Sequence, residues 1–125
     1  MSVLVTPDEM RAAEAAAVAA GRTEPELMRA AASQIAAWID LHVRRRAQAR
    51  RFAVALVGPG YNGGDALVAL ALLVERGWHC GAVLLGRDSF GTLPASSDLL
   101  DQIELTGAES LDAADVILDG VYGVS

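Results

Sequence analysis

Residues 52–76 read FAVALV-GPGYNGGD-ALVALALLVER, and no other stretch restricts the fold so tightly. A continuous apolar run without polar alternation suits a central parallel strand covered on both faces, not a half-exposed one. A glycine-rich bend follows at once. Asp65 to Arg76 then reads as a helix apolar almost all round, closed by Gly77, which can take the left-handed conformation. HCGAVLLG supplies a second buried strand, so strand, loop, helix and strand make one right-handed crossover unit. Pro94, Ser96 and Ser97 lead into a third helix ending near Gly107, and ADVILDG gives a third strand capped by Asp119. The alternation predicts an α/β fold: a Rossmann-like parallel sheet with helices on both faces and ligands at the carboxyl ends of the strands.

Two helices precede this unit. TPDE at Thr6 to Glu9 places a hydroxyl at the N-cap, proline at the first helical position and glutamate three residues after the cap, starting a helix that runs to Gly21. TEPE at Thr23 to Glu26 repeats the pattern, and Leu27, Ala31, Ile35, Trp38 and Leu41 recur as one buried stripe. The basic run RRRAQARR that follows is a solvated helix end whose cations favour the negative end of the helix dipole.

With 53% hydrophobic and 21% charged residues, the chain is of the globular class and the length of one domain. No run approaches the roughly 18 apolar residues of a membrane span, and the N-terminus lacks a signal peptide's basic region, so a cytoplasmic location is expected. A formal net charge of -6 opposes a phosphate backbone at long range and counts against nucleic acid as partner. Small phosphorylated ligands are still compatible, because backbone amides at a helix end bind them whatever the total charge. Cys80 is expected as a buried residue without chemistry, and His42 and His79 as core or surface residues, not bases. Three strands are fewer than a doubly wound sheet carries. The expectation is therefore an incomplete domain, the N-terminal portion of a longer one, whose strand ending at Asp119 is an open edge and whose isolated chain is marginal or dimerised through it.

Gly58, Gly60 and Gly63 match G-x-G-x-x-G directly after a strand and before a helix. A P-loop is excluded, since no Lys-Ser or Lys-Thr pair follows. In an ordinary dinucleotide fold Asp88 is a loose candidate for the ribose contact. The bend, however, continues through Gly64 and Asp65, so the helix is expected to begin later than the fingerprint requires. Bare backbone at Gly63 and Gly64 lets consecutive amides point into one concavity, an anion site. The simpler alternative is a tight turn with Asp65 capping the helix.

The stretch VGPGYNGGDALVALALLVERGW resembles the G-x-G-N-N-G-G-D-G-L-V signature of the YjeF N-terminal family, the NAD(P)HX epimerases. LVTPDEMRAAEAAAVAAG with ELMRAAASQIAAWI is similar to that family's two N-terminal helices, and ADVILDGVYGVS to its VDALFGTG segment. The resemblance implies a cytoplasmic, often dimeric enzyme that interconverts the R and S epimers of NADHX and NADPHX, hydrates of the nicotinamide cofactors, so that an ADP- or ATP-dependent dehydratase, at times fused to it, restores them. It further implies that Tyr61, Asn62, Gly63, Gly64 and Asp65 contact the substrate and that Asn62 and Asp119 bind a potassium ion. Asp119 then serves as catalytic base or ion holder, and Gly123, Val124 and Ser125 begin a phosphate-contacting segment. Tyr61 stands where the family usually has asparagine, Ala66 where it has glycine, and Val124 with Ser125 where it has Thr-Gly. Two other functions compete with the epimerase: a non-catalytic YjeF-type binding or scaffold module, and an NAD(P)-dependent oxidoreductase that uses Asp88.

Overall fold

The structure is a computed structural model that describes residues 3–6, 8, 9, 12, 24–43 and 50–121. Its elements in chain order are β1 (Val3–Val5), α1 (Glu24–Val43), β2 (Phe52–Val57), α2 (Tyr61–Glu75), β3 (His79–Leu84), α3 (Ser97–Asp101), β4 (Glu104–Leu105), a 3-10 helix (Ala108–Ala113) and β5 (Val116–Gly120). The strands form one sheet in the order β1-β5-β2-β3-β4, every neighbouring pair parallel.

Side chains alternate along each strand, and the two faces receive different cover. Ala53, Ala55 and Val57 of β2 with Val116 and Leu118 of β5 join the main core under α1 and α2. Val54 and Val83 turn to the other face, where Ala114, Leu111, Phe52, Leu56 and Ile117 make a small cluster beside the 3-10 helix. Because α2 lies between the sheet and α1, its apolar residues are needed all round, and Gly63 to Ala71 are buried without interruption. Gly77, with φ of 88°, ends the helix and returns its N–H to the Val74 carbonyl at 2.9 Å.

Helix α1 packs on α2, and its buried face keeps Ala31 and Ile35 of the expected stripe but not Trp38 or Leu41. Ala32, Ile35, Ala36, Ile39 and Val43 are inside, whereas Trp38 is 43% and Leu41 52% exposed. Ala32 and Ala36 lie one turn apart on this buried face, and Ile39 and Val43 extend it from Ile35 at four-residue steps. Exposed Trp38 stacks on His42, ring centroids 4.5 Å apart, so His42 is a surface residue. Asp40 ties the pair of helices together, accepting the Trp78 indole N–H at 2.9 Å and facing Arg76 at 3.3 Å.

Five strands replace the three expected. Val3–Val5 pairs with Val116–Leu118, so β5 lies between β1 and β2 and is no edge. The argument for a marginal chain that dimerises at Asp119 loses its premise there. The expected helix from Ser96 to Gly107 is also corrected. It lasts only from Ser97 to Asp101, after which the chain turns to lay Glu104 and Leu105 beside Gly81 and Ala82. Gly81 gives room for this, since a Cβ there would stand 3.0 Å from Thr106 Cγ2. The capping box at Thr6 is formed: Glu9 N–H donates to Thr6 Oγ1 and Thr6 N–H to Glu9 Oε1, both at 3.3 Å. The rest of the first expected helix, Thr23, and residues 44–49 of the basic run lie outside the described residues.

Candidate functional site

All five strands run the same way, so the loops after β2, β3 and β5 meet at one rim of the sheet. There β2 passes into the glycine bend, and Gly58 N–H donates to the Gly120 carbonyl at 3.1 Å. Helix α2 starts at Tyr61 with Gly60 as its N-cap, four residues earlier than Asp65. The glycines that extend the bend in sequence are unfavourable to an isolated helix, but packing against the strand ends decides. Asn62, Gly63, Gly64 and Asp65 therefore belong to the helix. Gly63 and Gly64 send their amides to the Gly60 carbonyl, at 3.1 and 3.4 Å, instead of into a shared concavity. Asp65 is buried and is not the cap.

The glycines serve proximity. A Cβ on Gly63 would run into the Gly58 carbonyl and stand 2.8 Å from Arg87 Nη1. One on Gly120 would lie 2.7 Å from the Leu56 carbonyl oxygen, 2.8 Å from that of Asn62 and 3.0 Å from Ala66 Cβ. Bare backbone at these two positions lets the start of α2 sit directly on the ends of β2 and β5. Gly64 differs: a Cβ there would meet Leu93 Cδ2 at 3.4 Å and Met28 Cε at 3.5 Å, ordinary contacts.

Gly64 instead faces a cleft of about 820 Å³. It is lined by Pro25, Leu27 and Met28 of α1, by Pro59, Gly60 and Tyr61 of the glycine bend, and by Arg87, Thr92, Leu93 and Pro94 of the loop after β3. Tyr61 is exposed. Arg87 was not a sequence candidate; its signal was a cation directly after Gly86, just past the end of β3. Asp88 beside it is exposed and does not line the cleft.

Asp119 is half-buried on the penultimate residue of β5, where its Oδ1 accepts the Val121 N–H at 3.1 Å. Alternation sets it on the same sheet face as Ile117, while Gly120 turns to α2. The structure thus brings the Asn62 and Asp119 segments together through Gly120. Gly123, Val124 and Ser125 lie outside the described residues. Among the described residues His, Cys, Asp and Glu do not gather in groups of three or more that could hold a metal ion. Cys80 is buried with its Sγ 3.4 Å from the Leu70 carbonyl oxygen, and burial pushes its thiol up to about 12. No described helix is long and apolar enough to cross a membrane.

The chain is 36% identical, over 99% of its length, to a Rhodobacter capsulatus protein named NAD(P)H-hydrate epimerase, of which it covers 63%. It is 34% identical over 96% of its length to a Thermosynechococcus vestitus protein named bifunctional NAD(P)H-hydrate repair enzyme Nnr, of which it covers 24%. A Mycobacterium tuberculosis protein of that same name is 39% identical over 94% of the chain, which covers 25% of it. The chain therefore spans under two thirds of the epimerase relative and about a quarter of the bifunctional ones. The crystal structure of yeast ynu0, YNL200c, has the same fold, with a TM-score of 0.61 at 21% identity over 82% of this chain and 49% of that one. The family described as YjeF-related protein N-terminus matches residues 24–125, from α1 through the glycine bend and past β5, and the chain belongs to that family.

Proposed function

We propose that the chain is the N-terminal portion of an NAD(P)H-hydrate epimerase, an isomerase interconverting the R and S epimers of NADHX and NADPHX in cofactor repair. The observation that carries this reading is the 36% identity to a protein of that name across nearly the whole chain. In this reading the substrate lies along the cleft. Of the run Tyr61 to Asp65, Tyr61 and Gly64 line the cleft and contact the substrate directly, while Asn62, Gly63 and Asp65 shape the turn behind them; Gly123 to Ser125 begin the phosphate-contacting segment.

Asn62 and Asp119 are the residues that would hold a potassium ion. An amide carbonyl and a carboxylate are hard oxygen donors suited to such a cation. Their segments meet where Gly120 lacks a side chain, and the one hydrogen bond to Asp119 Oδ1 leaves carboxylate lone pairs available. Bound there, the ion would supply fixed positive charge to the site. Asp119 orients the hydrated ring, or takes a proton from it and returns that proton as the configuration inverts, so that composition and oxidation state are unchanged. The enzyme is cytoplasmic and homodimeric in this reading, has no nucleic-acid partner, and supplies a dehydratase that is fused to it or separate.

The test is incubation of the purified protein with a single NADHX epimer, followed by chromatographic separation of the epimers over time. Equilibration faster than the uncatalysed drift, without ATP and without change of oxidation state, is expected. Drift at the uncatalysed rate removes the proposal, and reduction of a nicotinamide cofactor by an alcohol or hydroxy acid would put an oxidoreductase in its place.

A further inference from the structure

Among the described residues Arg87 is the single charged side chain lining the cleft, in a chain of formal net charge -6. Its guanidinium gathers three main-chain carbonyls from two segments: Nη1 donates to Gly58 at 3.0 Å, Nη2 to Phe90 at 2.9 Å and Nε to Ser89 at 2.9 Å. A guanidinium has five N–H groups, so one on Nη1 and one on Nη2 are left after these bonds. The carbonyls matter for the sign of the local field. Each is the negative end of a dipole, and three of them gathered beside the glycine bend would repel an anion unless a cation stood among them. Partial burial strengthens the effect, because water screens the charge less than on an open surface.

We propose that Arg87 is the ligand-positioning residue for the phosphate-bearing part of the molecule bound in the cleft. It neutralises the three carbonyl dipoles and presents its two remaining N–H groups to phosphate oxygens, a planar fork suited to bidentate contact. The inference rests on the dinucleotide reading above and deepens it by giving the diphosphate a place at the Arg87 end of the cleft. The apolar side chains of Met28 and Leu93 are then left for an uncharged ring.

Isothermal titration of the purified protein with ADP-ribose, which carries the diphosphate, and with adenosine, which carries none, tests this. Arg87→Met should weaken ADP-ribose about tenfold or more while leaving adenosine within about twofold, and Arg87→Lys should recover only part of the loss. Added salt should weaken ADP-ribose binding to the parent more steeply than to Arg87→Met. In the epimerase assay KM should rise with kcat little changed. ADP-ribose binding by Arg87→Met within twofold of the parent, or equal loss of both probes, overturns the proposal and leaves the dinucleotide reading standing. A parent protein that binds no ADP-ribose overturns both. Should Arg87→Met fail to fold, Arg87→Lys decides, since parent-level affinity in a variant that keeps the charge but loses the fork also overturns the role.

Discussion

Phe52 and Asp115 are bonded to each other twice: the Asp115 N–H donates to the Phe52 carbonyl at 2.8 Å, and the Phe52 N–H donates to Asp115 Oδ2 at 2.9 Å. The same carboxylate oxygen accepts the Arg50 N–H at 3.0 Å. Between those two donors Arg51 is held at φ of 55°, a conformation unfavourable to an arginine. Asp115 thus fixes the entry to β2 from the neighbouring strand. Asp115→Ala should destabilise the protein by about 1–3 kcal/mol, since two amides lose a charged acceptor, and Asp115→Asn by less. Urea unfolding of the three proteins checks this; equal midpoints for parent and alanine variant would refute it.

Gly63 and Gly64 are adjacent in sequence and should separate in behaviour. Gly63→Ala places a methyl against the Gly58 carbonyl and Arg87, and should cost about 1–3 kcal/mol of stability as an overpacked site. Gly64→Ala meets only ordinary contacts and should stay within about 1 kcal/mol of the parent, because alanine suits a helix better. Its methyl enters the cleft, so ligand affinity should fall where stability does not. Thermal melts paired with titration of ADP-ribose separate the two effects, and equal loss of stability in both variants would contradict the assignment.

The buried face of α1 gives a third test. Ile39 is fully enclosed, so Ile39→Ala should cost about 2–5 kcal/mol, whereas Trp38→Ala should cost less than about 1 kcal/mol despite removing the larger side chain. Denaturant titration decides, and the reverse order would restore the stripe that includes Trp38 and Leu41.

Cys80 ties stability to alkaline pH. Its thiol has an ordinary value of 9.0 and stands near 12 in the folded chain, so folding keeps a proton that the unfolded chain releases. The contribution is complete below about pH 9 and is lost as the pH rises toward 12, at up to about 1.4 kcal/mol per pH unit. Cys80→Ala should flatten that part of the stability curve. In the native protein at neutral pH, thiol reagents should react only on unfolding; rapid native labelling would show that the sulfur is accessible.

The unit from β2 to β3 was legible because an apolar run, a glycine bend and an all-apolar helix leave a crossover little alternative. The start of α2 was not, since glycines that disfavour a helix in isolation are here the residues that let it touch the strands. On α1 the sequence pattern counted Trp38 and Leu41 as core because they are large and apolar, while the real contact is made by Ala32 and Ala36, which periodicity weighs lightly. β1 and β4 span three and two residues and owe their strand form to their neighbours, so no local signal announced them. Within the site, Tyr61 and Gly64 were named from the bend and do line the cleft, but Arg87 lay outside any motif.

The pairing of Val3–Val5 with Val116–Leu118 has a consequence for how the chain is made. β1 must wait for β5, which leaves the ribosome far later, before it has a neighbour to pair with. Until then β2, α2 and β3 can assemble from contacts near in sequence, while β1 has nothing to pair with and the flank of β2 that will receive β5 stands bare. β1 is thus a latch that closes only once β5 has been made, not a seed of the fold. A ribosome that pauses between Leu84 and Val116 holds out an apolar strand edge to the nascent chains around it, and the cost of delay falls on aggregation before it falls on stability.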